Sequence, residues 1–293
     1  MADKPDDVSA LSICPKLVVP EMAGPEMTEP DIEWSETLQR IRVRTPARLL
    51  AGRVGAAYRT HTQLELRKAH AAARDAVGDE LDLAEDFGTA FIERWKLFEV
   101  STQATSKQEY LLRPDLGRCL TESSRSELLQ RVSSANDLQI VIGDGLSVTA
   151  VSQQAPPLLE LLYQHARERA WRIGQPFVIR HCRVGVLNDI GSLLAPRVVI
   201  LLIGERPGLA TAESLSAYLA HRPRRSDTDA NRNLISNIHS RGVGMHDAAR
   251  RIINLAARMM TQGASGYQVR EELPSPTNAE IVVPGPRLND STR

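Results

Sequence analysis

Three short runs of apolar, largely β-branched residues constrain this chain more than any other feature: Leu138-Gln139-Ile140-Val141-Ile142, Phe177-Val178-Ile179 and Val198-Val199-Ile200-Leu201-Leu202-Ile203. A strand with one wet face alternates polar with apolar residues, whereas a strand covered on both faces reads as a continuous apolar run. The stretches between them have helical spacing. Pro157 to Ile173 ends at Gly174, and Asp247 to Gln262 carries Ala248, Ala249, Ile252, Ile253, Ala256, Met259 and Met260 on one face before Gly263. Strands that alternate with helices predict an α/β domain over residues 135–266: a Rossmann-like open parallel sheet with helices on both faces. Sheets of this kind bind ligands outside the carboxyl ends of their strands, so the site is expected in the loops that follow the three runs.

Residues 34–134 read as a preceding, mainly helical domain, since nothing there alternates cleanly enough to force a sheet. Thr45-Pro46 can start a short helix over Ala47 to Ala51, ending at Gly52. Thr62-x-x-Glu65 has the form of a capping box, with Leu66, Ala69, Ala73, Ala76 and Val77 following on one face. Arg113 to Arg118 breaks the chain before a helix from Glu122 to Val132. Residues 1–33 are rich in proline and form a flexible tail in this reading; the patch Leu11 to Val19 within it is a candidate docking peptide or an incidental apolar stretch. Residues 267–293, with Pro274, Pro276, Pro284 and Pro286, read as a second loose tail.

Basic and acidic side chains number 36 each, so nothing advertises nucleic acid or a charged membrane surface as a partner. Cys14, Cys119 and Cys182 are odd in number and far apart, without zinc-site spacing, which favours a reducing compartment. No segment reaches the roughly 20 apolar residues of a membrane helix, and the start of the chain lacks a signal-peptide pattern. A soluble, cytoplasmic protein is expected.

Three segments leave strands at the expected binding edge. In Gly143-Asp144-Gly145-Leu146-Ser147 the glycines let the backbone approach a ligand, or the segment is simply a tight turn with a capping serine. Val148 stands where a dinucleotide fingerprint needs its third glycine, so no pyrophosphate is indicated. In Gly204-Glu205-Arg206-Pro207-Gly208, Glu205 either accepts hydrogens from a ligand or pairs with Arg206 at the surface. In Asn231 to His239 a short strand is bracketed by amides, and His239 reads as a hydrogen-bonded structural residue rather than a metal ligand. No nucleophile elbow, phosphate-binding P-loop or HExxH is present. The chain has a candidate site and no visible catalyst.

Five motifs in order, Tyr110-Leu111-Leu112-Arg113-Pro114-Asp115-Leu116-Gly117-Arg118, Val141 to Ser147, Val199 to Gly208, Glu213-Ser214-Leu215-Ser216 and Ile235-Ser236-Asn237-Ile238-His239, resemble the light (small) chain of ethanolamine ammonia-lyase from about Arg42 to Gly266. The resemblance implies a subunit of an adenosylcobalamin-dependent enzyme that converts ethanolamine to acetaldehyde and ammonia by a radical route. It implies a hetero-oligomer in which a heavy chain, a TIM barrel, holds the substrate while the light chain covers the cofactor. The hard chemistry then belongs to the cofactor, which accounts for the missing catalyst. Family cofactor contacts fall on Val184, Glu205 and Leu234, the last where a cysteine often stands in the family. The chain lacks an Asp-x-His-x-x-Gly motif, so the cobalt is expected to keep its own benzimidazole (base-on). Enclosure in a bacterial microcompartment, with the first 30 or so residues as address, belongs to the same expectation. Two other classes remain open at this stage: a stand-alone Rossmann-like small-molecule or nucleotide sensor, and a structural adaptor docking through its tail.

Overall fold

The computed structural model describes residues 53–272 together with a few positions between 36 and 43. The chain divides into two units, Met1–Ile41 and Arg42–Arg293, and the sheet and its cavity belong to the second. The proposed helix over Ala47 to Ala51, the patch Leu11 to Val19, Cys14 and most of the C-terminal tail lie outside the described residues.

A small antiparallel pair, β1 (Arg53–Val54) and β2 (Ala57–Tyr58), precedes helix α1 (Thr60–Gly78). Thr62-x-x-Glu65 does not cap this helix: Arg59 is the N-cap, without a side-chain hydrogen bond, and Thr62 lies inside the first turn. Helices α2 (Leu83–Phe87) and α3 (Thr89–Trp95) follow, then the short strand β3 (Glu99–Ser101). Next come α4 (Lys107–Leu112) and α5 (Glu122–Arg131), the latter capped by the Thr121 side chain. From there strands and helices alternate: β4 (Leu138–Gly143), α6 (Val148–Glu168), β5 (Phe177–Arg180), α7 (Val186–Leu194) and β6 (Val198–Gly204). The chain then departs from that rhythm. Strands β7 (Leu215–His221) and β8 (Asn233–Ile238) run without an intervening α-helix before α8 (Met245–Gln262), which stops at Gly263 in the left-handed conformation.

The result is a mixed α/β fold on a six-stranded sheet of order β3-β5-β4-β6-β7-β8. Pairings from β3 to β6 are parallel, and β6-β7 and β7-β8 are antiparallel. All three apolar runs are strands, and every residue of β4 and β6 is buried. One face of the sheet packs Ile140, Ile142, Ile200 and Leu202 against Val151, Leu158 and Leu162 of α6 and Ile252 and Ala256 of α8. The other packs Val141, Ile179, Val199 and Leu201 against Leu128 of α5 and Val186, Leu187 and Ile190 of α7. Each large aliphatic side chain buried this way contributes about 1.5–3 kcal/mol.

Three expectations are corrected. The stretch expected to be mainly helical supplies an edge strand, β3, whose three residues pair with Val178, Ile179 and Arg180. The helix expected from Pro157 begins instead at Val148, so Pro156 and Pro157 sit in its interior. Each proline there forgoes one intrahelical hydrogen bond, a loss offset by burial of Leu158, Leu159 and Leu162 on the following turn. The same helix stops at Glu168, and Ile173 makes an isolated bridge to Leu138 instead of closing the last turn.

A cavity over the uncovered face of the antiparallel strands

Helices α5 and α7 cover one face of the parallel strands and the cluster they form reaches Ala220 of β7, whereas β8 is covered, among the described residues, by α8 on its opposite face. On β8, Leu234, Ser236 and Asn237 are therefore exposed, while Ile235 and Ile238 are buried under α8. Tyr218 of β7 sits opposite Leu234 in register. A cavity of about 300 Å³ opens where this bare sheet face meets the loops leaving β4, β5 and β6. Val184 comes from the loop after β5, Glu205 from the end of β6 and Leu234 from β8, and all three line it.

Glu205 is anchored rather than free. Its Oε1 accepts from Ser216 Oγ at 2.7 Å and from the Asn237 backbone N–H at 2.9 Å, and its own N–H donates to Ser214 O at 3.0 Å. Its second carboxylate oxygen accepts no hydrogen bond among the described residues, and no ion pair forms with Arg206. The surface-pair alternative is thus not realised. One oxygen holds β7 and β8 together and the other is available to a ligand.

The segment after β4 resolves toward its structural reading. Ser147 caps α6, accepting from Ala150 N at 3.1 Å and donating to Ala212 O at 2.5 Å. Asp144 is 1 % exposed and accepts the backbone N–H groups of His181 and Cys182, each at 2.8 Å. It ties the loop after β4 to the loop after β5, which carries Val184. The Lys107 ammonium reaches Gly145 O at 3.3 Å. Burial pushes the Asp144 carboxyl up and the Lys107 ammonium down, and each charge opposes the other's shift. Glycines matter here for close approach. Gly145 has φ +60°, and a Cβ on it would lie 2.4 Å from Gly204 O; a Cβ on Gly204 would lie 2.1 Å from Ser147 O. Two loop backbones therefore touch beneath the cavity.

His239 is 2 % exposed, with Nε2 2.7 Å from Asn237 Oδ1 and Nδ1 accepting from Arg241 N at 3.3 Å. That pattern makes Nε2 the protonated nitrogen, and burial depresses the ring's proton affinity. It is a structural histidine, and among the described residues no group of three or more histidine, cysteine or carboxylate side chains could hold a metal ion. Cys182 also borders the cavity, but burial pushes its thiol well above the ordinary value, so it is not an activated nucleophile. Tyr110, Arg183, Ser216 and Tyr218 line the cavity too and were not singled out by sequence reasoning. The signals were at hand for some: Tyr110 and Ser216 lie inside motifs quoted above, and Ser216 and Tyr218 share one face by the period of a strand. Chemically the cavity offers one carboxylate acceptor, guanidinium donors and apolar walls, which is equipment for binding rather than for bond cleavage.

A family model described as ethanolamine ammonia-lyase light chain (EutC) matches residues 35–270. The ethanolamine ammonia-lyase small subunit of Rhodopseudomonas palustris is 38% identical over 252 residues, 85% of this chain and 97% of that protein. The small subunit of Clostridium acetobutylicum is 35% identical over 235 residues, 80% of this chain and 95% of its own length. That of Pseudomonas fluorescens is 36% identical over 248 residues, with 83% and 87% covered. Matches that span nearly all of the described fold and most of each relative establish that the chain belongs to the ethanolamine ammonia-lyase light-chain family, the small subunits of an ammonia-lyase.

Proposed function

We propose that this chain helps bind adenosylcobalamin, base-on, within a hetero-oligomer whose heavy chain, a TIM barrel, carries the substrate ethanolamine. The observation that supports this most is that Val184, Glu205 and Leu234, distant in sequence, border one cavity. Their chemistry fits the group. A corrin ring bears primary amides, whose N–H groups suit the unpaired oxygen of Glu205, and its apolar periphery suits Val184 and the exposed Leu234. A cavity of about 300 Å³ is small for such a molecule, which fits a half-site completed by a second chain. When bound, the cofactor supplies radical chemistry through its cobalt–carbon bond. This chain's residues hold and orient it: Glu205 accepts from an amide, Val184 and Leu234 exclude water, and Asp144 keeps the loop of Val184 in place.

In the same reading residues 135–266 form the Rossmann-like cofactor-contacting domain, preceded by a mainly helical domain over 34–134, with tails at 1–33 and 267–293. The N-terminal tail is the candidate address to a bacterial microcompartment in the cytoplasm. Among the described residues no helix is long and apolar enough to cross a membrane. Reconstitution is the test. The chain, mixed with heavy chain and adenosylcobalamin, is expected to restore ammonia release from ethanolamine; equal activity from the heavy chain alone would overturn the proposal. Tight nucleotide binding by the isolated chain, without any cobalamin dependence, would favour a sensor instead.

A further inference from the structure

The loop that presents Val184 also presents Arg183, and no carboxylate among the described residues pairs with that guanidinium. Arg183 is half-buried and lines the cavity beside Val184 and Glu205. Its backbone N–H donates to Gly117 O at 2.8 Å, and its Cγ lies where a Cβ on Gly117 would come within 2.6 Å, so the side chain runs flat over a bare stretch of backbone. Beyond that point the guanidinium stacks on Tyr110, with Cζ 4.1 Å from the ring centroid, and Nη2 donates to Tyr110 O at 3.0 Å. Tyr110 is fixed in turn by its hydroxyl, which donates to Cys182 O at 3.0 Å.

What this arrangement omits is a carboxylate. Among the described residues Arg183 makes no ion pair, and its Nε is buried with no hydrogen-bond partner. The contrast lies next door. A more polar cleft of about 590 Å³ begins at Gly185, and there Arg125 pairs with Asp189 and Arg232 with Asp229. Those two guanidinium groups each carry a counter-charge. A partly desolvated guanidinium without a counter-charge or a full set of acceptors costs stability, and its placement in the ligand cavity gives that cost a use.

We propose that Arg183 is a second polar contact to the ligand of this cavity, donating to a carbonyl-type oxygen while Glu205 accepts from an N–H. Together the two side chains read both ends of a primary amide, the group repeated around a corrin ring. This rests on the cofactor reading above and extends it to a pair, Arg183 holding the oxygen and Glu205 the N–H, that together set specificity for amide over acid. The Nη1 atom, which makes no hydrogen bond among the described residues, is the available donor. Arg206, exposed at the next strand end, shares the sign of charge but lacks the stacked, fixed geometry.

The test uses the complex reconstituted with heavy chain, titrated with adenosylcobalamin and with analogues in which one peripheral amide is hydrolysed to the carboxylate. Arg183→Met is expected to raise the dissociation constant for adenosylcobalamin about tenfold, the loss of one charge-assisted hydrogen bond. The analogue hydrolysed at the amide held by both side chains should bind wild type more weakly than the parent, because its second oxygen faces the Glu205 carboxylate, and Arg183→Met should weaken both ligands while Arg183→Lys, which keeps the charge, weakens them less. Glu205→Gln, which removes the opposing charge and supplies a donor, should narrow the gap between that analogue and the parent. If Arg183→Met and Arg183→Lys both bind every ligand as wild type does, or lose only thermal stability, the inference is overturned. Weakened binding in Glu205→Gln with unchanged binding in Arg183→Met would sink the role of Arg183 and spare the cofactor reading. No change in either variant would sink both.

Discussion

The parallel and antiparallel parts of the sheet differ in how they are covered. In β4 and β6 every residue is buried, with helices on both faces. In β8 only Ile235 and Ile238 are buried, because α8 covers one side and nothing among the described residues covers the other. Tyr218 and Leu234 are the clearest products of that asymmetry: a cross-strand aromatic and aliphatic pair on the open face, Leu234 with 45% of its surface exposed. The lesson is that stability and recognition are separated by strand, with Glu205 at the seam between β6 and β7.

Variants can break or sharpen that separation. The largest effect is expected from Leu201→Ala in the doubly covered half. The side chain is fully buried, and its removal should cost about 3 kcal/mol or more in urea unfolding; a cost below about 1 kcal/mol would mean the parallel half is not the stability core. Gly145→Ala comes next. Its φ of +60° and a clash at 2.4 Å with Gly204 O should cost about 2 kcal/mol or more and disturb the loops under the cavity, visible as a lowered unfolding midpoint together with weakened cofactor binding. At the seam, Glu205→Ala should raise the cofactor's dissociation constant about tenfold, or about 1.5 kcal/mol, in titration of the assembled enzyme. Unchanged affinity would return Glu205 to a purely structural role, clasping β7 to β8. The smallest stability effect belongs to Leu234→Ser: within about 0.5 kcal/mol in unfolding, because the side chain is already half in water. Its affinity for the cofactor should nonetheless fall, and a loss of stability without a loss of affinity would erase the distinction drawn between the two halves.

The same asymmetry explains what could be read from the chain in advance. Strands covered twice announce themselves as unbroken apolar runs, so β4, β5 and β6 were legible. Strand β7 was not, because Ser216 and Tyr218 on one face and His221 on the other interrupt its apolar residues. Helix α7 was hidden for a different reason: Asn188 and Asp189 interrupt its apolar stripe. Asp189 is nonetheless buried, where it accepts from Leu120 N at 3.0 Å and pairs with Arg125. Strand β3 is too short, at three residues, to display a period at all. Prolines misled in turn, since Pro156-Pro157 marks a helix start by local rules and here lies mid-helix under tertiary packing. At the site, Glu205 was legible from its place after the most apolar strand, and Val184 and Leu234 from the family likeness. Arg183 was not legible, because what distinguishes it is the absence of a carboxylate partner in three dimensions.

Asp144 gives the cavity a thermodynamic character. By accepting two adjacent backbone N–H groups of the loop after β5, one inaccessible carboxylate fixes the path of His181 and Cys182, and so the departure of Arg183 and Val184, within the chain itself. A loop held in this way has little conformational freedom left to surrender when a ligand arrives. In the proposed half-site the entropic cost of ordering would then fall on the chain that closes over it from the other side.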